Sequence, residues 1–178
     1  MEGSQLFTTL AHEGFPGHLY QTVFFASPDP PRIRHLLGMG GYVEGWATYI
    51  ESFAYSYAEA DPDLTRLLWL NRSLNLCLYS LLDLGIHYDG WNQEEVSAFL
   101  EPFGITDPEL IGDIFQYIIE TPANYLKYYY GYLSFLDIRQ ASETQLGDSF
   151  NLKEFHRQIL DLGPMPFYLL EEELGLTA

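Results

Sequence analysis

Cysteine, positive charge and long apolar runs are scarce in this sequence, and each shortage closes off a class of proteins. Cys77 is the single cysteine among 178 residues, so neither a disulfide framework nor a multi-cysteine metal site can be built within the chain. It lies among Leu76, Leu78 and Leu81, which predicts a small buried apolar residue rather than a nucleophile. Eight Lys and Arg face 25 Asp and Glu, giving a formal net charge of −17. Nucleic acids and anionic membrane surfaces are held by clustered cations, so neither is expected as a partner. No stretch of eighteen apolar residues occurs, and no membrane insertion by this segment is expected. The start Met1-Glu2-Gly3-Ser4 lacks the basic residues and apolar run of a signal peptide, which leaves a cytoplasmic setting, or an exported one if a signal lies upstream. Alternating strand patterns, internal repeats and low-complexity tracts are also missing.

What is present predicts an all-α protein, an irregular multi-helix bundle in which residues 1–178 form a single helical domain. Apolar residues make up 47% of the chain, enough for one core of ordinary size. Pro28-Asp29-Pro30-Pro31 predicts a loop, and Asp61-Pro62-Asp63 opens a long helix reaching about Ile86. Leu67, Leu68, Leu70, Leu74, Leu78, Leu81 and Leu82 give that helix a broad apolar face, as expected of a central core helix. Asn92 with Glu95 forms a capping-box pattern. Thr106 or Asp107 is expected to cap the following helix ahead of Pro108, and Thr121 with Pro122 to repeat the device. A helix over residues 151–162 ends at Gly163-Pro164.

The chemistry concentrates in Leu10-Ala11-His12-Glu13-Gly14-Phe15-Pro16-Gly17-His18, which holds two imidazoles and a carboxylate within seven residues. Zinc takes neutral imidazole nitrogens and carboxylate oxygens while leaving a position open, and a nearby Glu outside the ligand set can accept a proton. The usual helical zinc motif places its two His four residues apart; here six separate them. On a regular helix that spacing turns through about 600° and leaves the imidazoles about 120° apart. Pro16 and Gly17 break the helix and can swing His18 back toward His12. The competing reading is a capped helix end and a loop with both imidazoles in solvent.

A second group lies in Val43-Glu44-Gly45-Trp46-Ala47-Thr48-Tyr49-Ile50-Glu51. Glu44, Thr48, Glu51 and Tyr55 share one helical face, while Trp46, Tyr49, Ile50 and Phe53 pack elsewhere. A solvated acidic face is the bland alternative. Gly45 argues against it, because glycine in a helix interior costs about 1 kcal/mol relative to Ala and is kept where another backbone or a ligand comes close. Glu44 is the expected third metal ligand, with Glu51 orienting an imidazole or an Arg.

His12-Glu13-Gly14-Phe15-Pro16-Gly17-His18-Leu19-Tyr20-Gln21 and Glu44-Gly45-Trp46-Ala47 resemble the DUF885 family of bacterial proteins. The resemblance spans nearly the whole chain but only the C-terminal part of the family's length, which implies a fragment or a truncated member. It further implies a zinc metallopeptidase of the gluzincin type, with the fold of the catalytic half of helical carboxypeptidases and oligopeptidases. Where the family has a Pro-Gly-Gln start followed by Tyr and Gly, this chain has Pro122-Ala123-Asn124, then Tyr128 and Gly131. The resemblance therefore puts Tyr128 at the site, as a phenol that can donate to an oxyanion, with core packing among Tyr125, Tyr129, Tyr130 and Tyr132 as the rival role.

Arg139 stands eleven residues after Tyr128, about three turns along the same face, where it could bind a substrate C-terminal carboxylate; a salt bridge to one of the many acids is the rival. His87 and His156 match positions the family tends to keep. For His87 a substrate contact competes with a structural place at a helix C-terminus, and His156 is expected to be structural. His35 joins Arg32 and Arg34 in a basic patch. The expected mechanism has one zinc ion, or another divalent metal, on His12, His18 and Glu44 with water in the fourth position; Glu13 moves the proton as a peptide carbonyl is attacked, and Tyr128 steadies the oxyanion. The alternative is a truncated, catalytically incompetent module that binds metal or dimerises, homo-oligomers being an open outcome. A di-iron carboxylate bundle is disfavoured, since neither Glu13 nor Glu154 has a His three residues later.

Overall fold

Helices follow one another through the whole computed structural model, which describes residues 2–26, 30–58 and 61–176. They are α1 (Glu2–Glu13), α2 (His18–Ala26), α3 (Gly40–Tyr57), α4 (Pro62–His87), α5 (Gln93–Leu100), α6 (Pro108–Glu120), α7 (Asn124–Leu146), α8 (Leu152–Leu162) and α9 (Phe167–Glu173). No strand occurs among the described residues, so the all-α multi-helix bundle expected from the sequence is what forms. Among those residues, no helix is long and apolar enough to cross a membrane. Pro28 and Asp29 of the expected loop lie outside the described residues, as does Met1.

Local chemistry sets most boundaries. The Asp61 carboxylate accepts from the backbone of Asp63 and Leu64 at the head of α4, and Asn92 and Glu95 make the reciprocal capping box of α5. Asp107, not Thr106, caps α6. Asn151 caps α8, and Gly163, at φ 68°, ends it. Thr121 does not start α7 as expected: its hydroxyl donates 2.7 Å back to the Tyr117 carbonyl and closes α6. Ala123 then precedes α7 with φ 59°, a left-handed conformation that glycine adopts without cost, and its side chain offers no cap.

The main packing event is the crossing of α3 and α7. Gly45 and Gly131 meet backbone to backbone: a methyl at Gly45 would stand 2.5 Å from the Gly131 carbonyl carbon, and one at Gly131 would collide with the Gly41 carbonyl oxygen. With the helices this close, Tyr42, Trp46, Tyr49, Phe135 and Ile138 interlock beside the crossing and are joined by Phe155 and Ile159 of α8 and Leu170 of α9. Tyr42 donates 2.7 Å to the Ile159 carbonyl and Trp46 donates 3.1 Å to the Pro16 carbonyl, so both buried polar tips are satisfied. A second cluster, Leu82, Val96, Leu100, Ile111, Ile114 and Ile118, joins the end of α4 to α5 and α6.

Helix α4 faces the other way from the sequence expectation. Leu78 and Leu82 are buried, but Leu67, Leu70, Leu74 and Leu81 are exposed and Leu68 only partly covered. The inner face carries Thr65, Trp69, Arg72 and Leu76: Trp69 packs on Tyr55 of α3 and Tyr132 of α7, and Arg72 pairs with Glu51. Aromatic and ionic partners on α3 and α7 select this side, and no described residue covers the leucine row. Cys77 is partly rather than fully buried for the same reason.

Two expectations follow. Gly131→Ala should push α7 off α3 and lower stability by about 1–3 kcal/mol, read as a lower urea midpoint with unchanged slope. His156 shares a 2.9 Å hydrogen bond with the Tyr49 hydroxyl inside the aromatic cluster; burial, reinforced by the Arg139 charge, lowers its pKa from 6.5 to about 4. Between those values the unfolded chain takes up a proton that the folded chain refuses, so this group's contribution is full above pH 6.5 and lost as pH falls toward 4. His156→Gln should therefore flatten that part of the midpoint-versus-pH curve relative to wild type.

Candidate metal centre

The break in the chain after Glu13 assembles the site. α1 ends at Glu13 and α2 begins at His18, with the intervening turn folded back on the α1 terminus. Gly17 lies so close to the His12 carbonyl that a side chain there would collide with it, and the Gly17 carbonyl accepts 2.9 Å from Gln21 as α2 starts. Reversal at this point brings the two imidazoles together, ring centroids 4.8 Å apart and nearly perpendicular. Solvent-facing histidines are thereby ruled out: His12 is buried and His18 mostly covered.

Glu44 enters from α3, one residue before the Gly45–Gly131 crossing. Its Oε2 lies 3.2 Å from His18 Nε2 and 3.8 Å from His12 Nε2. One ligand atom from each of the three residues falls within 4.8 Å of the others, an arrangement able to hold a metal ion. Glu44 Oε2 is buried with no hydrogen-bond partner. A carboxylate oxygen facing two imidazole nitrogens at these distances fits the N,N,O donor set of zinc, with room left in its shell.

Glu51, two turns further along α3, organises the rest. Its Oε2 accepts 3.0 Å from His12 Nδ1, which keeps a proton on Nδ1 and leaves Nε2 as the nitrogen that turns toward Glu44. The other oxygen, Oε1, accepts 3.2 Å from Arg72 Nε. Burial disfavours a charged His12, but Glu44, Glu51 and Glu13 outweigh it and raise its pKa to about 9. Burial likewise opposes the Glu44 carboxylate, yet the two imidazoles hold its pKa down to about 2. With protons alone, the centre is an imidazolium–carboxylate pair.

A cavity of about 310 Å³ opens beside the imidazole, lined by Gln5, Thr8, Thr9, His12, Glu13, Glu51, Tyr55, Arg72 and Tyr128. Glu13 is exposed within it, free of any ion pair among the described residues. The Tyr128 ring stacks against His12, centroids 6.2 Å apart, and burial together with the Glu44 charge raises its pKa, so the phenol stays protonated as a donor.

Arg139 and His87 are not brought here. Arg139 pairs with Glu143 at 2.7 Å and lies over the Phe53 ring, on the His156 side of α3. His87 donates 3.0 Å from Nε2 to the Ile118 carbonyl and ties α4 to α6. Arg34 of the basic patch donates to the Leu162 and Pro164 carbonyls, a structural tie, while His35 rests on Phe25. The cation that does reach the cavity is Arg72, which sequence reasoning passed over. Its only signal was being the single charge in the stretch Leu67–Leu82, at heptad distance from buried Thr65.

The chain belongs to the DUF885 family, bacterial proteins of unknown function, with a match over residues 1–174. Two solved structures are similar to it in fold. One is a candidate lipoprotein of unknown function from Shewanella oneidensis, 26% identical with a TM-score of 0.76, matched over 94% of this chain and 31% of that one. The other is a candidate lipoprotein from Colwellia psychrerythraea, 29% identical with a TM-score of 0.78, matched over 94% of this chain and 29% of that one. The chain thus spans about a third of the length of these relatives. Comparison with curated proteins gives no match.

Because Glu51 holds the His12 ring, a divalent ion added to the candidate site is expected to bind about 10- to 100-fold more weakly in Glu51→Gln than in wild type at unchanged stoichiometry, as checked by competition with a chromogenic chelator.

Proposed function

We propose that this chain carries the catalytic centre of a metal-dependent peptide hydrolase, with His12, His18 and Glu44 holding one divalent ion, zinc by donor type. The observation that carries the reading is the buried, unpartnered Glu44 oxygen facing two imidazole nitrogens at the edge of a polar cavity that also contains a free carboxylate and a phenol. When bound, such an ion supplies Lewis acidity to a water molecule and to the substrate carbonyl. Glu13, the cavity carboxylate outside the donor set, accepts the proton of the attacking water and returns it to the leaving amine. The Tyr128 O–H, kept protonated by its surroundings, donates to the oxygen on which negative charge develops. Glu51 holds the His12 ring and its tautomer through the cycle. The lipoprotein descriptions of the two longer relatives favour an exported setting over a cytoplasmic one.

The exposed row of Leu67, Leu70, Leu74, Leu81 and Leu84 favours a second reading, in which the chain is a metal-binding module that acts only with another polypeptide packed on α4, a second copy included. In that case the isolated chain binds zinc but hydrolyses nothing.

Elemental analysis combined with a peptide-hydrolysis assay separates the two. Wild type and Glu13→Gln should each retain one zinc per chain, and turnover should drop by at least about 100-fold in Glu13→Gln. Full activity in that variant would remove Glu13 as the base, and inert zinc-loaded wild type would favour the module.

A further inference from the structure

We propose that Arg72 forms a carboxylate-binding subsite in the cavity beside the metal centre, and that its ligand is the free C-terminal carboxylate of a peptide. This rests on the hydrolase reading and narrows it: the enzyme removes residues from the C-terminal end.

Among the described residues, Arg72 is the only Lys or Arg lining the cavity that contains His12, Glu13 and Tyr128. A guanidinium offers five N–H donors. The Nε donor of Arg72 goes to Glu51, 3.2 Å away, and no other hydrogen bond is made by its side chain among the described residues. Other arginines are engaged differently: Arg34 holds two backbone carbonyls, Arg139 holds Glu143, and Arg157 bridges Glu154 and Asp161. Glu51 takes Arg72 from the Nε side and so leaves the two terminal nitrogens as a fork, the geometry that pairs bidentately with a carboxylate. The Arg72 side chain is 39% exposed, so the fork is reachable, yet its stem is held by the ion pair and little freedom remains to be lost on binding.

In a chain of net charge −17, an anionic substrate end is repelled by most of the surface. Within the cavity, the Glu51 charge is shared between His12 and Arg72 while Glu13 stays an unpaired carboxylate among the described residues, so the far edge of the guanidinium is the point where an anionic group meets a cation. The Gln5, Thr9 and Tyr55 side chains that line the same cavity are neutral donors and acceptors suited to the last peptide unit.

The test is isothermal titration of the full chain, freed of metal, with three probes: trialanine as the free acid, its C-terminal amide, and Ala-Ala-Glu amide. The free acid should bind on the order of tenfold to a hundredfold more tightly than the amide, and the Glu-bearing amide should not recover the difference. Arg72→Gln, which keeps an amide donor for Glu51, should erase the acid-over-amide preference; Arg139→Gln should retain it. Equal binding of acid and amide by wild type, no binding of the acid, or an undiminished preference in Arg72→Gln would overturn the subsite. Glu amide binding as well as the free acid would overturn the C-terminal assignment in favour of an acidic side chain. Since no turnover is needed, a preference that persists in a protein without zinc uptake or hydrolysis would unseat the hydrolase reading alone. Zinc-dependent hydrolysis without the preference would unseat the subsite alone.

Discussion

The α3 and α7 side of the candidate metal centre is positioned by one steric fact, the contact of Gly45 with Gly131 where the two helices cross. The two backbones approach until no Cβ fits between them, and the aromatic side chains pack beside the crossing. Glu44 precedes Gly45 by one residue and Tyr128 precedes Gly131 by three, so the crossing sets the separation of a candidate ligand and a candidate oxyanion donor directly. The cost of glycine inside two helices is offset by that packing, which is why a helix rich in Trp, Tyr and Ile tolerates one in its middle.

Charge is arranged as a relay of pairs from the second face of the bundle inward. Arg72 meets Glu51, Glu51 meets His12, and His12 and His18 meet Glu44. The buried Glu51 carboxylate thus lies between a guanidinium and an imidazole, as the low dielectric inside the protein requires. The opposed pKa movements of His12 and Glu44 express the same design, a pocket that favours a positive occupant between two nitrogens and an oxygen. Thr48, buried on the same face of α3 with an unpartnered hydroxyl, adds polarity without charge.

Local chemistry made much of this readable in the sequence. Asp61, Asn92, Asp107 and Asn151 announce their helices through short-range hydrogen bonds, and Pro16-Gly17 announces the turn that joins His12 to His18. Glu44 and Glu51 were legible because two turns of one helix suffice to relate them. Longer-range relations were not legible. Whether the leucine row or the Thr65–Arg72 side of α4 faces inward depends on what α3 and α7 present, and apolar periodicity favoured the leucines. Arg139 was placed near Tyr128 by helical arithmetic, but three turns carry it past the cavity to Glu143 and the His156 cluster. Thr121 could serve either the helix ahead or the helix behind, and only the Tyr117 carbonyl decides between them.

The centre also has a mechanical side. His12 and His18 belong to the α1–α2 hairpin, while Glu44 belongs to α3, and the outer face of α1 shows Leu6, Phe7 and Leu10 to solvent. Any cation seated among the three side chains ties residue 12 to residue 44 and so closes a long loop of the unfolded chain. In a protein with a single cysteine, such a tie supplies the kind of cross-link that a disulfide gives elsewhere, one that is made and released by metal availability and pH rather than by redox state.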